Sequence, residues 1–224
     1  MKKILFVLLT LFVTNVVFAN VELDSSFYGT VPYSSTITTD SIESEIKQGF
    51  AFGSSDDVSI FFGSEAKNFE VGLGFFAGID VFTSIKIEDR TIDENSIGFN
   101  INFGAGPAFR YTLNNNLSLF ARPGLGFNIR GFANDESEYT ASFADVTFMF
   151  DLNAGGRYWF FNKTGFHLGL DFGFDLNCAT GTGSVTNKIK ALNTNMTKDY
   201  DVNFVAFKPY VGLAFNFGDR GIDR

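Results

Sequence analysis

The sequence predicts an all-β fold, an eight-stranded antiparallel up-and-down barrel that crosses a membrane with its strands. Three observations predict it. Large apolar residues alternate with small or polar ones at a period of two along six long segments. Short and long connections alternate along the chain. Beyond residue 19 no apolar run approaches the roughly 20 residues of a spanning helix. Composition narrows the function classes: 224 residues hold 30 Phe and 23 Gly but one Trp, one His and one Cys, at a net charge of −8. An acidic chain without a basic patch is no general nucleic-acid binder. The lone Cys178 cannot close an internal disulfide, and with a single His167 there is no Cys and His set for zinc. A carboxylate-only calcium site stays open.

Residues 1–19 read as an export signal. Met1-Lys2-Lys3 precedes the apolar run from Ile4 to Val13, and Val17-Phe18-Ala19 places small residues at the −3 and −1 positions of a cut after Ala19. The expected organisation is a signal peptide (1–19), a barrel domain (20–217) and a short C-terminal tail (218–224).

The first strand, 21–31, sets Val21, Leu23, Phe27 and Val31 against Glu22, Asp24, Ser26 and Thr30. The second, 46–63, carries Phe50, Phe52, Val58, Ile60 and Phe62 and is read as one strand interrupted by Ser54-Ser55-Asp56-Asp57, two short strands being the alternative. Six clearer strands follow at 69–82, 97–111, 117–130, 146–160, 166–176 and 205–217. Between them 64–68, 113–116 and 162–164 are short turns, whereas 32–45, 86–96, 132–140 and 177–200 read as long polar loops. Pro107 and Pro123 fall almost opposite one another and remove ladder bonds, so a local bulge is expected there.

The polar face decides the orientation. It is rich in Gly and Ala with a few charges, which suits a crowded lumen, while the other face holds more Phe, Leu, Ile and Val than eight strands could enclose. The apolar face is therefore expected against lipid, with Phe69, Phe109, Tyr111, Tyr158, Phe160 and Phe166 as interface aromatics at the short-turn end. Inward positions of the six clear strands hold Glu70, Asp80, Asp151, Asp171 and Asp175 against Arg110, Arg122, Arg130, Arg157 and Lys208, a balanced set expected to fill the lumen with layered salt bridges. His167 joins this network as a hydrogen-bonded lumen residue. No nucleophile and base share a catalytic spacing, so no catalytic, cofactor-binding or metal residue is assigned. Phe76, Phe82 and Phe120 break the pattern by pointing inward.

With its export signal, dyad alternation and loop asymmetry, the chain resembles the small bacterial outer-membrane β-barrels, such as outer-membrane proteins A, X and W and the opacity-type surface proteins. The last strand adds Tyr210, Gly212, Phe215 and Phe217, which look like the terminal signature read by the barrel-assembly machinery, although Gly218 to Arg224 follow it here. The resemblance implies a non-enzymatic protein of the cell outer membrane without cofactors. Its partners would be membrane lipid and lipopolysaccharide or an equivalent, the assembly machinery, and a host-surface ligand met by the loops. The acidic loop residues Asp40, Glu43, Glu45, Glu88, Asp89, Asp93, Glu94, Asp135, Glu136 and Glu138 would form that polar rim. The rival is a narrow conduit for small or hydrophobic solutes of the outer-membrane protein W type.

Overall fold

The computed structural model describes residues 20–40, 42–62, 68–82, 84–87, 90–92, 96–135, 139–163, 165–189 and 194–217. The export signal, the C-terminal tail and the loop acids Glu88, Asp89, Asp93, Glu94, Glu136 and Glu138 lie outside the described residues.

The described chain forms twelve strands: β1 (Asn20–Thr30), β2 (Tyr33–Thr39), β3 (Ile42–Gln48), β4 (Ala51–Phe62), β5 (Phe69–Phe82), β6 (Ile85–Ile87), β7 (Arg90–Ile92), β8 (Ser96–Asn114), β9 (Leu117–Asp135), β10 (Tyr139–Lys163), β11 (Phe166–Ile189) and β12 (Thr194–Phe217). Eight of them make an antiparallel ring in the order β1-β4-β5-β8-β9-β10-β11-β12, closed by β1 on β12 from Val21↔Phe217 to Tyr28↔Tyr210. Closure removes the free sheet edges that hydrocarbon could not satisfy.

The short strands extend the same wall. Thr30↔Ala51 in β1–β4 and Tyr33↔Gln48 in β2–β3 lie on one continuous hairpin register, interrupted at Val31 and at Pro32, which has no N–H to give. Ala51↔Phe82 and Gln48↔Ile85 likewise join β4–β5 to β3–β6. Val31 N–H donates to Phe207 O and Gly49 N–H to Ser84 O, both at 3.0 Å, and these bonds bridge the breaks. The stretches expected as long loops are thus largely strand. β9 and β10 pair out to Asp135↔Thr140, and β11 and β12 out to Ile189↔Thr194. Thr, Ser and Asn in these stretches alternate with inward apolar residues, so they build a soluble-type wall instead of a mobile rim.

Residues 46–63 also differ from expectation. The break falls at Gly49-Phe50, and Ser54 to Asp57 run straight through β4 with Ser55 and Asp57 buried. The expected bulge at the prolines is absent as well. The β8–β9 ladder reaches Ala105↔Leu125 and resumes at Phe109↔Ala121 in the same register, so the missing N–H groups open a gap without inserting a residue. Register shifts sit instead beside the turns, at Thr112/Asn114 and Trp159/Phe161. One of those turns is organised by Asn114, whose Oδ1 accepts the N–H groups of Asn116 and Leu117 at 2.9 Å each.

Side chains divide as the alternation demands. Phe75, Phe103, Leu125, Phe148, Phe172 and Val211 stand outside, each more than two fifths exposed. Inside, polarity changes with height. From the turn end to about the level of Asp151 and Asp175 the lumen is ionic, and above it Ile46, Phe82, Ile85, Phe132, Phe143, Val202 and Phe204 pack into an apolar cap. Over the same upper stretch the outward residues become Asp199, Asp201, Asn203, Thr180 and Thr182. This inversion, apolar-out below and apolar-in above, is the pattern expected of a wall that passes from lipid into water.

Candidate functional site: the charged lumen

β1, β4, β5, β8, β9, β10, β11 and β12 each aim one row of side chains into the lumen, and glycines let these rows approach. A Cβ on Gly155 would lie 2.9 Å from the Phe120 ring, and one on Gly124 would lie 2.8 Å from Phe76. The lowest layer centres on Arg110 and Arg157. Arg110 Nε donates to Glu70 at 2.7 Å, and its guanidinium also pairs with Glu22 and lies 4.4 Å from the centroid of the Phe61 ring. Arg157 pairs with Glu22 and Asp24 and stands 3.6 Å from Asp171. Arg122 above it holds Asp24 at 2.7 Å and Asp57 at 2.9 Å, and also reaches Asn153 Oδ1 at 3.2 Å. Phe120, the aromatic that breaks the alternation, lies between the two guanidiniums, 4.1 Å from Arg157 and 5.0 Å from Arg122. A ring there supplies apolar cover and a quadrupole to buried cations.

Higher up, Lys208 bonds Asp80 at 3.1 Å, and Asn100 donates to the same carboxylate at 2.6 Å. Within the cap, Arg130 donates to Asp145 at 2.8 and 3.0 Å and to Ser35 at 2.6 Å, between the rings of Phe143 and Phe204. Tyr33 donates to Gln48 at 2.8 Å in this cap, where burial pushes its phenol up to about 12. Two cavities of about 10 Å³ each are found in the ionic stretch, one lined by Arg122, Phe76 and the two prolines, the other by Tyr28, Asn102, Asp151 and Asp175. Each is large enough for about one water.

Every residue expected in the network points inward, but the grouping differs. Glu70, Arg110, Arg122, Arg157 and Asp171 converge, Asp80 meets Lys208, and Arg130 takes Asp145 in place of a predicted partner. Asp151 accepts from Asn177. His167 is buried beside the turn, 2.9 Å from Asn162 Oδ1 and edge-on to Trp159, away from the ion pairs. The balance read for the six clear strands does not extend to the whole lumen: Glu22, Asp24, Asp57 and Asp145 also face inward, giving nine carboxylates to five Arg and Lys side chains among the described residues. A signal for Asp57 was present, because Phe52 and Val58 share a parity, so nothing is inserted between them and Asp57 must oppose them. Asp145 lies between the loop read at 132–140 and the strand read from 146, in residues assigned to neither.

Phe69, Phe109, Tyr111, Tyr158, Phe160 and Phe166 all occupy the outer face at the turn end, with Phe69 stacked 6.2 Å from Phe109 and Phe166 5.5 Å from Phe217. In the terminal strand Tyr210 turns inward to Asn153 at 2.9 Å, with Gly212 on the same inner row, while Phe215 and Phe217 face out. Among the described residues no three His, Cys, Asp or Glu side chains converge as a metal cluster.

A closed ring of eight antiparallel strands, greasy outside and ion-paired inside, is the architecture of the outer-membrane β-barrels. Solved structures agree on the fold. The outer membrane protease OmpT from Escherichia coli superposes with a TM-score of 0.55 at 10% identity, covering 88% of this chain and 97% of that one. The outer membrane protein OprG from Pseudomonas aeruginosa gives 0.52 at 14% identity, covering 90% and 97%. No protein-family model and no curated protein matches the sequence.

Proposed function

We propose that this chain is a non-enzymatic integral protein of the outer membrane, with a plugged lumen, acting through the wall and loop tips that stand outside the bilayer. The observation that carries this reading is the filling of the lumen among the described residues, with ionic layers below and an apolar cap above, where the two cavities found in the ionic stretch are each about 10 Å³. Interior charges that hold one another in place stiffen a barrel but leave little path for an ion. The outer aromatics would sit at the membrane interface of the short-turn end, Tyr210, Gly212, Phe215 and Phe217 would be read by the assembly machinery, and lipid and lipopolysaccharide or an equivalent would surround the wall. A host-surface ligand would meet the projecting strands. Planar-bilayer recording of the purified protein tests the reading: no steady conductance is expected, and a stable large conductance overturns it. Recovery of the exported chain from periplasmic extract without detergent would overturn the membrane assignment itself.

A narrow conduit for hydrophobic solutes is the second reading, favoured by one observation. The gap in the β8–β9 ladder at Pro107 and Pro123 coincides with a small cavity that Phe76 lines from inside. Detergent or added hydrophobe retained in the lumen, and lost in Phe76→Trp, would favour it over the plugged barrel.

A further inference from the structure

The nine inward carboxylates are not left uncompensated evenly. Glu22, Asp24, Asp57, Glu70 and Asp171 share Arg110, Arg122 and Arg157, while Asp80 has Lys208 and Asp145 has Arg130. Asp151 on β10 and Asp175 on β11 form no ion pair among the described residues. Their register makes them neighbours: Asp151 stands opposite Asn177 and Asp175 opposite Asn153, so the two acids are diagonal on the inner face. Asp175 is 8% exposed, and its Oδ1 has no hydrogen-bond partner. Lys208 stands opposite it on β12, yet its ammonium is drawn to Asp80 and lies 4.8 Å from the centre of the Tyr28 ring. Arg122, the other base nearby, is held by Asp24 and Asp57.

Both acids line the same cavity of about 10 Å³, together with Asp57, which Arg122 holds, and with Tyr28, Asn102 and Asn177. Two carboxylates buried side by side without an ion pair of their own are unfavourable. The lining offers oxygen ligands and no sulfur or imidazole, which suits a hard cation, and the charge of the pair matches a divalent one. We propose that Asp151 and Asp175 bind one calcium ion in the lumen, with neutral oxygens of Asn102, Asn177 and Tyr28 completing its shell. Asp57, the third carboxylate on this cavity, stays with Arg122, so the ion takes two carboxylate ligands and the site draws its strength from burial. Because the apolar cap closes the lumen above it, the ion enters as the barrel forms and is retained afterwards.

The test refolds the mature chain into lipid vesicles either with calcium chloride or with EGTA, removes free ions from both, and measures bound metal and thermal unfolding. Expected are one calcium per chain after refolding with calcium and an unfolding temperature higher by about 5 °C than in the EGTA sample. Asp151→Asn/Asp175→Asn, which keeps shape but removes charge, should retain no calcium and unfold at one temperature under both conditions. Should the double variant fail to refold, Asp175→Asn alone serves, with at least a tenfold loss of retained calcium expected. Wild-type protein that retains no calcium overturns the proposal. A variant that retains as much as wild type overturns it too, since the ion would then lie on the acidic exterior. Stability indifferent to calcium but rising on acidification would give the pair a shared proton and would equally refute the site.

Discussion

Arg122 on β9 reaches across the lumen to Asp24 on β1, with 2.7 Å between Nη1 and Oδ2, and its second amino group holds Asp57 on β4 at 2.9 Å. One planar fork thus ties three strands well separated in sequence, Arg122 lying 98 residues from Asp24 and 65 from Asp57. In Arg122→Met, Asp24 keeps Arg157 but Asp57 loses its only ion pair among the described residues. The expected loss is about 3–5 kcal/mol in urea unfolding from vesicles. Arg122→Lys should restore only part of it, because a single ammonium cannot present two parallel donors. A loss under about 1 kcal/mol would mean that the contact is as weak as a surface pair.

How much of this was legible follows from the period of two. Along β5 and β8 to β12 alternation fixed the strands and their facing, and Arg122 could be placed in the lumen because Ala121 and Pro123 flank it on the outward row. Asp24 was on the right face too, but its partnership was not readable, since cross-lumen contacts depend on strand stagger. The upper wall was misread for a physical reason. Thr180, Thr182, Asn203 and Asp201 look like loop residues when the strand criterion is a greasy outer row, whereas above the lipid boundary the greasy row turns inward, as Val202 and Phe204 do.

Gly124 offers a test of how closely the inner rows approach. A methyl there would meet Phe76 Cε1 at 2.8 Å, while its other nearest neighbours, the Ala105 carbonyl atoms, begin at 3.4 Å. Gly124→Ala should therefore destabilise by about 1–3 kcal/mol through overpacking against one ring. Adding Phe76→Leu removes the clashing atoms, so the double variant should be more stable than Gly124→Ala alone, a coupling that a double-mutant cycle measures. Simple additivity would place the strain elsewhere.

The Arg130–Asp145 pair separates attraction from burial. It sits inside the apolar cap between Phe143 and Phe204, with both side chains fully buried. Arg130→Met alone leaves the buried Asp145 without its ion-pair partner, with Tyr200 still donating to it at 3.3 Å, and frees Ser35 on β2, and should lower stability by about 3–5 kcal/mol. It should also make the β2–β3 hairpin susceptible to added protease in intact vesicles. Arg130→Met/Asp145→Leu should regain most or all of that stability, because apolar isosteres avoid desolvating two ions. A double variant as unstable as the single would show that the pair contributes more than it costs.

The inversion of polarity along β12 serves as a depth gauge. Val211 faces outward between Phe172 and Phe27, whereas Asn203, on the same outer row, lies between Thr180 and Thr36. If the first position is in hydrocarbon and the second in water, one cation should have two different effects. Val211→Arg should destabilise the vesicle-inserted barrel by about 2–4 kcal/mol, the range for a guanidinium near the bilayer midplane, and Asn203→Arg by about 0–1 kcal/mol. The two residues are eight apart, about 27 Å along the strand, so the tilted strand passes from mid-membrane to its outer boundary within that length. Equal losses at both sites would remove the boundary from this level of the wall, and the apolar cap would then have to be explained within the lipid.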